Sequence, residues 1–170
     1  MVNLVLIGMP GAGKSTLGVI LAKTLGMHFV DTDILIQEKE GKLLQDIIDN
    51  MGNEYFKEVE ERVLLELDAE NTVVSTGGSA IYYPVAMEHF KKNGVTVYLD
   101  VEFGELERRL DNISTRGITL GKGETLKDLY ERRKPLYEKY SDITLKSEQM
   151  TAEESIEALI KALKISGKLK

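Results

Sequence analysis

The residues best suited to chemistry form a glycine-rich stretch at positions 8–16, Gly-Met-Pro-Gly-Ala-Gly-Lys-Ser-Thr. An apolar run precedes it and another follows, which gives the context of a buried strand, a glycine turn and a helix. In that context the pattern is typical of loops whose backbone N–H groups surround nucleotide phosphates. Lys14 would reach the β- and γ-phosphates, and the Ser15 hydroxyl would bind Mg²⁺. The predicted nucleotide-binding residues here are Gly11, Ala12, Gly13, Lys14, Ser15 and Thr16.

Two acids one residue apart, Asp31 and Asp33, follow the short apolar segment 28–30. If this segment is a strand, residues two apart point the same way, so both carboxylates could face the γ-phosphate. One would then suit Mg²⁺ and the other an acceptor hydroxyl. The alternative is structural, because an aspartate at this place could also lie in a solvated turn or cap a helix.

Apolar segments alternate with helical patterns along the whole chain. The predicted strands are 4–7, 28–30, 71–76, 95–99 and 143–145. The predicted helices after the first are 34–50 with a break at Gly41, 53–68, 84–92, 103–112, 125–139 and 151–164, the last capped by Thr151 and Glu154. This alternation predicts a parallel sheet covered by helices on both faces, with ligands at the carboxyl ends of the strands.

Composition narrows the class of protein. The 170 residues fit one domain, 1–170, and 42% apolar with 29% charged residues is ordinary for a globular protein. The chain has no cysteine, which excludes disulfides and thiolate metal sites. A net charge of −6 argues against nucleic-acid and anionic-membrane partners. Because no segment approaches the length of a membrane span, we expect a cytoplasmic protein, and we take it to be a monomer.

The chain resembles the shikimate kinases, small members of the phosphate-loop (P-loop) kinases related to the nucleoside-monophosphate kinases. The resemblance covers almost the whole length. It rests on residues 8–16, Asp-Thr-Asp at 31–33, Tyr-Phe-Lys-Glu-Val-Glu at 55–60, Ser-Thr-Gly-Gly at 75–78, the stretch 109–116 and Arg-Arg-Lys-Pro-Leu-Tyr at 132–137. It implies a three-layer αβα fold with about five parallel strands and a mobile lid at approximately 113–124. The helical region at approximately 34–62 would then bind the substrate.

The resemblance also implies roles for individual residues. Asp31 would help to hold Mg²⁺, and Asp33 would bind the substrate hydroxyls and orient or deprotonate the acceptor. Gly77 and Gly78 would bring backbone N–H groups to the substrate.

Three further residues complete the implied site. Arg116 would act from the closing lid, and Arg133 would bind the substrate carboxylate. Arg109 would lie along the adenine, with the loop at Ala152 on its other side.

Three departures from the family pattern concern the acceptor side. Lys57 stands where the family has an arginine, and it lacks the planar bidentate fork of a guanidinium. Taken alone, Lys57 is as compatible with the surface as with the site. Ser79 replaces the family's third glycine, and Gly-Ile-Thr follows Arg116 where the family usually has Pro-Leu-Leu. Tyr82 and Tyr83 either border the acceptor pocket or simply pack.

We therefore predict a kinase that uses ATP and Mg²⁺ to phosphorylate a hydroxyl of a small polar metabolite. The resemblance makes shikimate the preferred acceptor and implies a place in aromatic amino acid biosynthesis. Lys57 and Ser79, as predicted substrate-binding residues that depart from the pattern, leave open a related kinase for another small hydroxylated acid or polyol. A nucleotide-binding regulator without acceptor chemistry is the alternative from a different class.

Overall fold

Short apolar segments form one parallel sheet in the computed structural model, which describes residues 2–111, 118, 120–147 and 150–169. In the described residues its strands are β1 (Asn3–Ile7), β2 (His28–Asp31), β3 (Thr72–Ser75), β4 (Gly94–Asp100) and β5 (Ile143–Lys146). They lie in the order β2-β3-β1-β4-β5 and all pair in parallel. The strands β1 and β3 are buried at every position, which explains why their central residues are apolar and do not alternate with polar ones. The predicted α/β fold with a five-stranded parallel sheet is confirmed.

Helices cover both faces of this sheet, as predicted. They are α1 (Lys14–Leu25), α2 (Thr32–Glu40), α3 (Leu44–Glu66), α4 (Pro84–Asn93), α5 (Phe103–Asp111), α6 (Leu126–Tyr140) and α7 (Ala152–Ile165). Helices α1 and α7 contact each other on one face, while α4 and α6 pack against β4 on the other. The short 3₁₀ helix Ala80–Tyr82, which follows β3, was not predicted.

Local sequence signals explain where several helices begin and end. Thr151 accepts a hydrogen bond from the Glu154 N–H and Glu154 returns one, which confirms the predicted capping box of α7. Gly41 ends α2 in a left-handed conformation, at the predicted break. The second predicted break, between 50 and 53, is a kink inside α3, where Gly52 is not helical.

A second apolar cluster packs between α2 and α3, beside the sheet. It consists of Ile36, Ile47, Phe56, Val59 and Val63. The cluster gives the predicted substrate-binding region at 34–62 a buried support. Arg116 and half of the predicted lid at 113–124 lie outside the described residues. Within the described ranges, no helix combines the length and the apolar character needed to cross a membrane.

Candidate active site

The glycine stretch forms an open turn between β1 and α1. Gly11 and Gly13 have φ angles of +80° and +90°, a conformation that side-chain-bearing residues rarely adopt. Helix α1 begins directly at Lys14, so its first N–H groups face the turn. The Lys14 ammonium is nearly buried and donates to the carbonyl oxygens of Gly8 and Met9, at 2.8 and 2.9 Å. The turn therefore holds a fixed cation and helix-end N–H groups at one place, an arrangement suited to phosphate.

The Ser15 hydroxyl donates to the Asp31 carboxylate, with Oγ 2.5 Å from Oδ2. The other Asp31 oxygen accepts a hydrogen bond from the Asp33 N–H at 2.9 Å and so caps α2. Because this cap starts the helix at Thr32, Asp33 belongs to α2 and not to a continued strand. The strand-spacing argument for the two acids was therefore wrong, and the alternative of a helix cap is observed for Asp31.

Mg²⁺ is commonly held by one or two protein oxygens together with nucleotide phosphates. The Ser15 hydroxyl and the Asp31 carboxylate are oxygen donors of this kind, and they already meet beside the turn. Among the described residues, no group of three His, Cys, Asp or Glu side chains could hold a metal by itself. The donor set thus fits a Mg²⁺ ion shared with a nucleotide.

A cavity of about 620 Å³ joins the glycine turn to the acids. Asp31 and Asp33 both line it, in spite of the incorrect strand argument. The other predicted site residues in its lining are Gly11, Gly13, Lys14, Ser15, Thr16, Gly77, Gly78 and Ser79. Donor-side and acceptor-side predictions therefore meet in one cavity at the carboxyl ends of the strands.

The turn after β3 places two glycines where an added Cβ would force its neighbours to shift. A Cβ on Gly77 would lie 2.8 Å from Glu60 Oε1 and 2.9 Å from Asp33 Oδ1. A Cβ on Gly78 would lie 2.8 Å from Arg133 Nη1. The absence of side chains thus lets two carboxylates and a guanidinium approach the same piece of backbone.

Arg133 is a buried cation, with 2% of its surface exposed. Its guanidinium lies over the Tyr82 ring, 5.4 Å from the ring centre, and its Nε is 3.4 Å from the Tyr82 hydroxyl. It lines a second cavity of about 480 Å³, which shares Glu60 and Ser79 with the main cavity. An arginine held in this way is prepared to bind a carboxylate.

Lys57 lines the second cavity and not the main one. More than half of its side chain is exposed, and its ammonium pairs with Glu54 at 2.9 Å. The structure thus brings Lys57 near Arg133 but leaves it at the rim. Its predicted role in substrate binding stays a prediction.

Glu60 was not among the predicted site residues, yet it is 1% exposed and lines both cavities. Its carboxylate accepts hydrogen bonds from Ser79 and Tyr83, and burial raises its pKa to about 7. The sequence held a signal, because Glu60 falls on the face of α3 that carries Phe56 and Val63. A carboxylate on an apolar face is unusual unless it is paired.

A third cavity of about 390 Å³ lies on the other side of the glycine turn. Arg109 and Ala152 both line it, as the predicted adenine site requires. The Arg109 Nη1 donates to the Gly11 carbonyl at 3.1 Å, and its Nε pairs with Glu105 at 2.7 Å. The hydrogen bond from Arg109 and two more from Arg108 hold the pKa of Glu105 below its usual value. Arg109 is therefore fixed against the phosphate turn.

The fold and this site define a phosphate-loop kinase of the α/β class. A family model described as "Shikimate kinase" matches residues 10–164. Proteins named shikimate kinase are similar over nearly the full length. One from Sulfurihydrogenibium sp. is 38% identical over 96% of this chain and 99% of its own, and one from Clostridium botulinum (strain Loch Maree) is 39% identical over 96% and 97%. The chain belongs to the shikimate kinase family.

Solved structures agree with the family assignment. The shikimate kinase of Acinetobacter baumannii in complex with shikimate has a TM-score of 0.86 at 32% identity, covering 100% of this chain and 96% of its own. The enzyme of Aquifex aeolicus has a TM-score of 0.81 at 32% identity, covering 97% and 98%. The predicted family and the predicted class of enzyme, a phosphotransferase with an alcohol acceptor, are confirmed.

Proposed function

We propose that this protein transfers the γ-phosphate of ATP to a hydroxyl of shikimate, giving shikimate 3-phosphate. The observation that carries the proposal is the shared cavity, in which the phosphate turn, Asp33 and the glycines 77 and 78 meet. Buried Arg133 adjoins it through the backbone of Gly78. Family membership supports the reaction, and a relative that binds shikimate has the same fold.

On the donor side, Lys14 and the first N–H groups of α1 would stabilise the charge of the transferring phosphoryl group. Ser15 and Asp31 would hold Mg²⁺, which supplies further neutralisation of the phosphate oxygens when bound. Arg109 and Ala152 would border the adenine in the third cavity.

On the acceptor side, Asp33 would orient the hydroxyl of shikimate and accept its proton. The acceptor oxygen then bonds to the γ-phosphorus as the bond to the bridging oxygen breaks, leaving ADP. The Gly77 and Gly78 backbone would contact the substrate, and Arg133 would bind its carboxylate as an ion pair. Arg116 would complete the site from the predicted lid.

The rim position of Lys57 keeps one alternative open. Arg133 alone binds a carboxylate less strongly than Arg133 together with a second cation at position 57 would. Another small hydroxylated acid or polyol could therefore be the preferred acceptor. A regulator without acceptor chemistry is disfavoured, because it has no need for Asp33 and Arg133 around one cavity.

Phosphorus NMR tests the proposal directly. The protein would be incubated with MgATP and either shikimate, other hydroxy acids, sugar acids or polyols. We expect a phosphomonoester signal with shikimate at the expense of the γ-phosphate. A phosphomonoester formed faster from another compound would establish the alternative acceptor. If no compound gave a phosphomonoester, a nucleotide-binding regulator would be favoured. The cytoplasmic location and the monomeric state remain predictions.

A further inference from the structure

Glu60 is a buried carboxylate in the wall between the main and second cavities. Titratable and charged groups face it from each neighbouring element. They are Asp33 of α2, Tyr83 beside the 3₁₀ helix, and Arg133 and Tyr137 of α6. The nearby Asp33 charge disfavours ionisation of Glu60, and Arg133 favours it. The charge of Glu60 therefore bears on any anion that binds at Arg133.

Neutral donors hold this carboxylate in place. The Ser79 hydroxyl lies 2.8 and 2.7 Å from its two oxygens, and the Tyr83 hydroxyl donates to Oε2 at 2.8 Å. Both hydrogen bonds favour the ionised form, since an ionised carboxylate accepts them without competition from its own proton. Ser79 is therefore turned towards Glu60 and does not present a free hydroxyl to a substrate.

Besides Arg133, a position that could supply a cation to Glu60 is Lys57, three residues earlier on the same helix. Within the described part of the chain, the Lys57 ammonium pairs with Glu54, largely in solvent, and not with Glu60. Ser79 and Lys57 are two of the three departures from the family pattern. One departure removes a guanidinium from this region, and the other adds a hydroxyl that contacts Glu60.

We propose that Ser79 is a positioning residue that holds Glu60 in the cavity wall and takes over the pairing that an arginine at position 57 would make. This inference rests on the proposed function. Burial disfavours the ionised form of Glu60, and neutral hydroxyls offset that cost less than a guanidinium does, so the pKa of Glu60 is raised to about 7. Binding of the acceptor is consequently linked to the protonation of Glu60.

The sign of this linkage follows from charge. An ionised Glu60 repels the carboxylate of an acceptor at Arg133, whereas a protonated Glu60 does not. Binding of the acceptor therefore favours proton uptake, and KM for shikimate should rise as pH increases through about 7. The rise should be about tenfold, as expected for neighbouring like charges.

Carbon NMR of the Glu60 carboxyl in the ligand-free protein tests the positioning role independently of activity. The Glu60 signal is identified by its loss in Glu60→Gln. Ser79→Ala should move its titration upwards by about one pH unit, the shift expected from losing a hydrogen bond to a charged group. Tyr83→Phe should shift it in the same direction, and Ser141→Ala, at the start of the loop to β5, should leave it unchanged. An unshifted titration in Ser79→Ala would overturn the proposal.

A double variant tests whether Ser79 takes over the pairing with Glu60 that an arginine at position 57 would make. Adding Lys57→Arg to Ser79→Ala should bring the Glu60 titration back to the wild-type range or lower. The same variants should shift the pH at which KM for shikimate rises, by the same amount and in the same direction. If Glu60 titrated in the double variant as it does in Ser79→Ala, an arginine at position 57 would not replace Ser79, and the proposal would be contradicted. If wild-type turnover does not depend on shikimate, the proposed function fails, while the NMR titration still decides the role of Ser79.

Discussion

The Ser15 hydroxyl and the Asp31 carboxylate are hydrogen-bonded across the gap between α1 and the end of β2, with Oγ 2.5 Å from Oδ2. The pair joins the first turn of α1, beside the glycine turn, to the start of α2, which Asp31 caps. One carboxylate thus links the donor side of the site to the segment that carries Asp33.

We expect Asp31→Asn to lower the apparent affinity for Mg²⁺ in the kinase reaction. The amide keeps most of the shape but loses the charge, so the Mg²⁺ concentration giving half-maximal rate should rise about tenfold. Magnesium titrations at saturating ATP and shikimate measure it, with Asp49→Asn on the exposed side of α3 as the control. Identical titrations for both variants would exclude Asp31 from the metal site.

Lys14→Ala should abolish turnover while the protein stays folded. The substitution removes the charge that we propose stabilises the transferring phosphoryl group, and a loss of kcat of about 100-fold or more is expected. Steady-state rates and thermal unfolding check the two parts, and the exposed Lys23→Ala serves as control. Turnover close to wild type would contradict the assignment of the phosphate loop.

Asp33→Asn should separate ATP binding from transfer. An amide cannot accept the hydroxyl proton as a base, so kcat should fall by about 100-fold or more. ATP affinity, measured by calorimetry, should change little. A collapse of ATP affinity would instead place Asp33 in the metal site and reverse the roles of the two acids.

Arg133→Lys should raise KM for shikimate more than it lowers kcat. Lysine keeps the charge but loses the fork that binds a carboxylate with two hydrogen bonds, so an increase of about tenfold is expected. Arg62→Lys, an exposed arginine paired with Glu40, is the matched control. Equal KM values for both variants would remove Arg133 from the acceptor site.

Glu60 should make the protein less stable as pH rises. Burial raises its pKa from 4.5 to about 7, so the folded protein binds this proton more tightly than the unfolded chain does. This contribution is fully present at pH below the unfolded value and is lost as pH rises through about 7. Between about pH 5 and pH 8, the wild-type free energy of unfolding should fall by roughly 3 kcal/mol relative to that of Glu60→Gln. Chemical denaturation measures it, and parallel profiles would contradict the burial of an ionisable Glu60.

The sheet could be predicted closely because buried parallel strands appear in a sequence as apolar runs bounded by turn residues. The start of α2 could not, because Asp31 both ends β2 and caps the helix, and spacing alone does not separate these roles. The 3₁₀ helix Ala80–Tyr82 is too short to show a period.

The glycine turn at 8–16 was predictable because it is continuous in sequence. The acceptor half depends on contacts between distant segments. Glu60 meets Ser79 from nineteen positions away, and only the folded chain shows that its carboxylate is buried. The rim position of Lys57 likewise depends on its pairing with Glu54, which the pattern of residue types does not reveal.

Phosphate transfer from ATP to a shikimate hydroxyl within one cavity is tested most directly by ADP release from the purified protein with MgATP, with and without shikimate. We expect a low rate without shikimate and a strong, saturable increase with it, lost in Lys14→Ala. ATP binding accompanied by ADP release that does not respond to shikimate would contradict it.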